Sequence, residues 1–345
     1  MTEGASPGLA FVGAGSLGQA FTALIAASGQ VVTLLATPTT AARLLAAGRV
    51  RLRGVVSLQT VVAAAPAAPG TVGVTADPAR LPAGTGVLFA TKGHQLRAAI
   101  EGVRAVWPDA HDTGAWVGGL QNGVLKDDLL TQAFGSDWVV GAATILGGQR
   151  EPDGQITVTS LGATYLGELA GGISTRTTAA AKLLRKAGIP AEASADIRGV
   201  LWSKACNAAG IFGVSVLTRA SIPRLFRAPD LTRAYLSLVR EAESVAAACG
   251  VRVGDYVNFP IRTYVDRPDE ETIRALSGAP SGTSTGGVET LPSMTQDLLA
   301  GRALEVDEVL SDLVDRADRA GVPVPRLTLV RNLIRGIDPD RHPPG

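Results

Sequence analysis

Apolar positions cluster in short unbroken runs through the first half of the chain and in longer helical stripes through the second. Leu9–Val12 is a run of four that leads straight into G-A-G-S-L-G at 13–18, and an apolar stretch continues to Ala27. Val31–Leu35 is the next run, after Gly29 as a helix stop. A strand, a glycine turn, a helix and a second strand in that order predict a parallel sheet. The pattern then predicts a helix over 39–47, one or two strands within 49–63, and a buried strand at Val87–Ala90 with a helix after it to about Val106. Trp116–Leu120 is a further strand and Leu125–Phe134 a helix. Val139–Ile145 and Ile156–Tyr165 pair through the E-P-D-G turn at 151–154, and 175–187 is helical.

Beyond Pro190 the strand signals fade, and helical patterns run to about Gly336. The expected architecture is α/β, a parallel-sheet domain at 8–193 followed by an all-α domain at 194–337, with 338–345 a disordered tail. The stretch S-G-A-P-S-G-T-S-T-G-G at 277–287 reads as a long flexible loop, a lid candidate by length and composition.

Composition narrows the class. The 345 residues suffice for two domains, and 46% hydrophobic content supplies their cores. A formal net charge of +1 and 4% aromatic residues argue against nucleic acid and against an anionic membrane. Two cysteines, Cys206 and Cys249, make no disulfide framework, which points to a reducing, cytoplasmic setting. The first residues lack the basic region of a signal peptide. Residues 200–217 are nearly long enough to cross a bilayer, but Lys204, Asn207 and two glycines favour a buried core helix.

The glycine turn carries the first chemistry. Gly13 makes the tight turn, Gly15 lets the backbone approach a pyrophosphate, and Gly18 lets helix and strand pack. With Ala14, Ser16 and Leu17 they open a helix whose N-terminal N–H groups suit phosphate, so a Rossmann-type dinucleotide site is expected. After the second strand comes A-T-P-T-T-A-A-R at 36–43. No acid stands there for an NAD ribose, whereas Thr37, Thr39 and Thr40 with Arg43 behind suit a 2′-phosphate, which favours NADP(H).

Hydride transfer to a carbonyl leaves charge on oxygen, and a nearby cation or acid must stabilise and protonate it. His342 lies in the tail, His111 in a loop, and His94 reads as solvent-facing, so a lysine or tyrosine is needed. Lys204 is the single charge in V-L-W-S-K-A-C-N-A-A-G-I-F-G at 200–213, and Asn207, Ala208, Ile211 and Ser215 share its helical face. Lys92 and Asn122 follow strand ends, where ligands bind in open α/β sheets. L-P-S-M-T-Q-D at 291–297 leads toward a helix carrying Glu305, which the stripe of Val306, Val309, Leu310, Leu313 and Ala317 makes a solvated shoulder position.

In this order and spacing these islands resemble the ketopantoate reductase family, over about Leu9 to Arg335. G-A-G-S-L-G is similar to its cofactor loop; T-K at 91–92 and Q-N-G at 121–123 to its strand-end lysine and asparagine; L-W-S-K at 201–204 to the start of its helical domain; and S-M-x-x-D at 293–297 with G-R-A-L-E-V-D at 301–307 to its substrate serine and glutamate. The resemblance implies a Rossmann domain and a helical domain, with NADPH and a small carbonyl substrate in a cleft, and a homodimer. It makes Lys204 the catalytic cation, Asn122 and Glu305 its catalytic partners, Ser293 a substrate contact and Lys92 a neighbour of the nicotinamide. Asn122 orients both cofactor and substrate on this view. The family usually has two asparagines after its lysine, where this chain has Ala208 and Phe212, and an arginine where it has Thr37. The leading reading is NADPH-dependent reduction of a 2-oxo acid, either ketopantoate itself or a more apolar relative, which suits Phe212 better. A reductase of an imine or bulky ketone, and a non-redox enzyme or binding protein that keeps the fold, are the competing readings.

Overall fold

The computed structural model describes residues 8–107, 114–278 and 291–341. His111, His342 and nearly all of the 277–287 loop lie outside the described residues. The described chain divides into two compact units: residues up to Gln121 together with 126–197, and Asn122–Leu125 together with residues from Arg198 onward.

The first unit runs β1 (Leu9–Val12), α1 (Ser16–Ala27), β2 (Val32–Leu35), α2 (Pro38–Ala47), β3 (Arg49–Gly54), β4 (Leu58–Ala64), β5 (Thr71–Thr75), β6 (Gly86–Phe89), α3 (Leu96–Arg104), β7 (Trp116–Gly119), α4 (Leu125–Phe134), β8 (Val140–Arg150), β9 (Ile156–Glu168), α5 (Thr175–Lys186) and β10 (Ala191–Ala193). The start of α4, Leu125, groups with the second unit. The sheet order is β10-β9-β3-β4-β5-β2-β1-β6-β7, with β8 paired to β9. From β4 to β7 every neighbouring pair is parallel, and β1, β2, β6 and β7 are buried at every position, as strands covered on both faces are. β3 runs antiparallel to β4, and β8 to β9. A bridge between Val117 and Val139 sets the start of β8 against β7, so the sheet curls.

β1 lies between β2 and β6, where the strand order reverses, and ligands of such sheets bind at the carboxyl ends there. Phe11 and Phe21 stack at 5.2 Å where α1 crosses β1, inside the core on that face. β5 has no counterpart in the sequence reading. Its T-V-G-V-T carries Gly73 mid-strand, where a Cβ would come 3.2 Å from that of Ala67, so close packing has put a turn-forming residue inside a strand.

The second unit is α6 (Ile197–Thr218), α7 (Ile222–Arg227), α8 (Pro229–Ala248), a hairpin of β11 (Asp255–Tyr256) and β12 (Phe259–Pro260), α9 (Ile261–Asp266), α10 (Asp269–Gly278), α11 (Ser293–Leu299), a π-helical turn at Asp307–Ser311 that runs into α12 (Asp312–Ala320), and α13 (Pro325–Gly336). α6 is long and apolar enough to cross a membrane, yet most of it is buried inside the protein, as a core helix is. Gly210 and Gly213 let α8 approach closely: a Cβ on either would strike the Tyr235 ring or Leu238. Cys206 is fully buried on α6, and burial pushes its thiol pKa far up, so it is a packed core thiol.

Three expectations need correction. The tail expected to be disordered from 338 is anchored through Arg341: Asp338 is buried and accepts from the Leu304 N–H at 3.2 Å, and Arg341 pairs with Asp307. The division between units falls after Ile197, and the short segment Asn122–Leu125 crosses to the helical unit, which no linear boundary conveys. Glu305 is no solvated helix position. α11 ends at Leu299, Gly301 turns the chain at φ +63°, and Glu305 stands buried just before the next helix begins at Val306.

Candidate functional site

The glycine loop is held from within. The Gly13 N–H donates to Leu35 O at 2.9 Å, and buried Gln19 donates from Nε2 to Ala14 O at 2.8 Å. Gly13 sits at φ +107°, and a Cβ there would come 2.8 Å from Thr91. A Cβ on Gly18 would overlap the Gly13 carbonyl. Gly15 differs: it is exposed, and the nearest atom to its Cβ position is Ala90 O at 3.8 Å. It is also the N-cap of α1, and no side chain caps that helix. The first N–H groups of α1, at Ser16, Leu17 and Gly18, are therefore left to water or to a ligand, beside the one glycine with room in front of it. This cradle fits a dinucleotide pyrophosphate.

Thr37 has a second task. Its hydroxyl accepts from the Thr40 N–H at 3.4 Å and donates to Thr40 Oγ1 at 3.0 Å, capping α2 with Pro38 in the first turn. Arg43 is exposed, and its Nη1 lies 3.6 Å from where a Gly154 Cβ would be, so it reaches the turn between β8 and β9. Arg53 pairs with Glu151 in the same turn, and the Thr157 hydroxyl, with Arg53, holds that carboxyl below its ordinary pKa.

Lys92 is half-buried beyond the end of β6, at the N-cap of a short 3-10 turn over Gly93–Gln95, and His94 is exposed as expected. Gln121, unremarked in the sequence reading, joins two strand ends. Its Nε2 donates to Phe89 O and Thr91 O, each at 3.1 Å, and to Thr91 Oγ1 at 3.2 Å. Next along, the Lys126 ammonium is buried against both oxygens of Asp127 at 2.7 Å. The Gln121 contacts have no pattern signal because they need the fold to close first, whereas Lys126 and Asp127 are chain neighbours and the fold adds only their burial.

The second unit gathers the other candidates. Lys204 is half-buried on α6 and engaged in polar interactions, so it is not a solvent-extended surface lysine. Ala208 and Phe212, one and two turns on, are buried. Ser215 leaves the set, because its hydroxyl is buried and donates to the Ala220 carbonyl just beyond α6. Asn207 is half-buried and accepts at Oδ1 from the Tyr235 hydroxyl at 2.7 Å. Ser293 is half-buried and opens α11.

Glu305 is 4% exposed and its carbonyl accepts from the Val309 N–H at 3.2 Å. Burial pushes the neighbouring Glu308 up to about 7, and the charges of Glu305 and Asp307 add to the effect. Asn122 is half-buried, and Gly123 beside it lies directly on the backbone of Glu308. The structure thus brings Asn122–Gly123 and the segment after Glu305 together within the second unit. Among the described residues no cluster of His, Cys, Asp and Glu could hold a metal ion.

Comparison with known proteins supplies the wider frame. Residues 9–171 match the family profile described as ketopantoate reductase PanE/ApbA, and residues 196–338 match the profile of its C-terminal domain. A 2-dehydropantoate 2-reductase of Archaeoglobus fulgidus is 27% identical over 219 residues, 64% of this chain and 67% of its own length. The structure of a PanE/ApbA family ketopantoate reductase from Ralstonia eutropha JMP134 superposes with a TM-score of 0.73 at 23% identity, covering 97% of this chain and 99% of that one. A D-mandelate dehydrogenase solved with NADH and anilino(oxo)acetate has the same fold, with a TM-score of 0.76 at 18% identity over 97% of this chain and 99% of that one.

Proposed function

Since the chain belongs to the ketopantoate reductase family of oxidoreductases, we propose that it reduces a 2-oxo acid to the 2-hydroxy acid with NADPH, and that its substrate is more apolar than ketopantoate. The observation that carries this reading is a half-buried lysine, Lys204, on a largely apolar core helix, in the same compact unit as the buried carboxylate Glu305.

The bound nicotinamide supplies the hydride. Gly15 and the first N–H groups of α1 take the pyrophosphate, for which the open space at Gly15 is the support. The lack of an acid after β2, with Thr37 and Arg43 nearby, supports the 2′-phosphate of NADP; the Thr37 hydroxyl donates to that phosphate by turning its proton from Thr40 Oγ1, while still accepting from the Thr40 N–H. Lys204 as ammonium polarises the C2 carbonyl and donates the proton as the oxygen becomes a hydroxyl. Glu305 supplies a buried carboxylate in the same unit as that cation. Asn122 orients the substrate carbonyl and the nicotinamide, Lys92 stands at the nicotinamide end, and Ser293 contacts the substrate. Ala208 and Phe212 replace polar positions of the family, and an aromatic ring there favours an apolar side chain.

The test mixes purified protein with NADPH, and separately NADH, across a panel of carbonyls. The panel holds ketopantoate, aliphatic and aromatic 2-oxo acids, a cyclic imine and a bulky ketone. Turnover with NADPH, faster on apolar 2-oxo acids than on ketopantoate, is expected. Nucleotide binding without turnover of any of them would overturn the reductase reading, and turnover of the imine or ketone alone would move the substrate class.

A further inference from the structure

Asn207 stands three residues after Lys204, where simple alignment with the family pattern gives it no role. Its surroundings fix which way its amide points. Tyr235 is fully buried on α8, its ring stacked edge-on against Phe226 at 5.2 Å and pressed on Gly210 of α6. Burial raises the phenol pKa well above its ordinary value, so the hydroxyl keeps its proton. A buried phenol proton needs an acceptor, and Asn207 Oδ1 at 2.7 Å is the one it has. The flipped amide would set Nδ2 against that hydroxyl and leave the phenol proton with no acceptor. Tyr235 therefore locks Asn207 with Nδ2 turned away. Nδ2 donates to none of the described residues, and Asn207 is only half-buried.

Along α6 the order is then a cation at Lys204, an amide donor at Asn207, and apolar surface at Ala208 and Phe212. Residues three and four apart share a helix face. Two donors within one turn, followed by an apolar turn, match a ligand whose oxygens cluster at one end.

We infer that Asn207 is a substrate-binding donor that takes a carboxylate oxygen of a 2-oxo acid through Nδ2, with Tyr235 its positioning residue. This rests on the 2-oxo-acid reading above and deepens it: the acid head lies at Lys204 and Asn207, and an apolar side chain lies along Ala208 and Phe212. The Tyr235 bond fixes the amide before the ligand arrives, so little ordering cost remains for binding.

Anilino(oxo)acetate, an acid with an apolar ring and an unreactive carbonyl, is the probe. Its calorimetric affinity is measured for the NADPH-loaded protein and for two variants, beside NADPH affinity and thermal stability. Asn207→Asp can still accept from Tyr235, but presents a carboxylate in place of the donor, and should bind the probe at least about tenfold more weakly. Tyr235→Phe frees the amide to rotate and should weaken it by about threefold, with any turnover changing in KM rather than kcat. NADPH affinity should hold in both. Probe affinity of Asn207→Asp within about twofold of the parent would overturn the inference. So would failure of the parent protein to bind the probe. If Tyr235→Phe does not fold, Asn207→Asp decides alone. A parent protein that binds the probe but reduces no 2-oxo acid would sink the reductase reading and leave the Asn207 result standing.

Discussion

Gly123 lies so close to the Glu308 carbonyl that a β-carbon on it would overlap that oxygen. Gly123 also sits at φ +79°, where only glycine is unstrained. The turn that presents Asn122 is thereby seated on the segment that follows Glu305. Gly123→Ala should cost about 2 kcal/mol or more in denaturant unfolding, from strain and overlap together. Its turnover should fall even at temperatures where the variant is folded, because Asn122 moves with the turn. An alanine variant with parental stability and rate would show that the contact positions nothing.

Lys204→Ala should lower kcat by about a hundredfold or more, the range of a lost proton donor, while NADPH affinity is kept. Glu305→Ala and Asn122→Ala should each reduce turnover as well. Stopped-flow rates of hydride transfer, read beside nucleotide titrations, separate these effects. Undiminished turnover in Lys204→Ala would remove the lysine from the mechanism.

Gly73 and Glu305 show what the chain's pattern can and cannot convey. Short apolar runs and the glycine loop are local signals, and β1, α1, β2, α4 and the β8–β9 pair stand where those signals put them. β5 was hidden because Gly73 answers to a neighbour, Ala67, and not to its own strand. Glu305 misled through a regular stripe from Val306 to Ala317: the stripe is real and its members are buried, but the chain breaks at Gly301 and a π-helical turn adds a residue to the spiral. Periodicity reads the face of a helix and is silent on where the helix starts. The Asn207 amide was visible as a letter, but its orientation is set by Tyr235, 28 residues away. The same holds for Gln121, whose partners lie on the end of another strand.

Glu308 should make stability fall as pH rises. Its folded pKa of about 7 lies above the ordinary 4.5, so the folded state holds a proton that the unfolded chain has already lost between those values. The contribution is fully present below about pH 4.5 and is lost as pH climbs through 7. Glu308→Gln cannot ionise and should be more stable than the parent at pH 8, by about 1 kcal/mol once screening at its exposed part is allowed for. Near pH 4 the two proteins should converge. Parallel unfolding curves at every pH would contradict this account of the carboxyl.

Phe212→Asn restores an amide where the family usually carries one. It should shift the ratio of kcat/KM for ketopantoate over an aromatic 2-oxo acid upward by about tenfold, since a polar site rewards the hydroxyl and no longer packs the ring. Phe212 is 7% exposed, so some stability should be lost too. A changed stability with an unchanged ratio would assign Phe212 to the core alone.

Gly15 and Gly18 separate a ligand requirement from a folding requirement within one loop. Gly15 has φ −71° and ψ −171°, which any residue adopts, and only Ala90 O at 3.8 Å comes near its Cβ position. Gly15→Ala should therefore fold with a Tm within about 2 °C of the parent. If the pyrophosphate is held as proposed, the added methyl stands in its way at the first turn of α1, and NADPH affinity should fall by about tenfold. Gly18→Ala would drive its methyl into the Gly13 carbonyl and should lose stability first, with weaker nucleotide binding only as a consequence. Calorimetric NADPH affinity measured beside Tm for both variants makes the comparison. Parental NADPH affinity in a folded Gly15→Ala protein would remove the loop from cofactor binding.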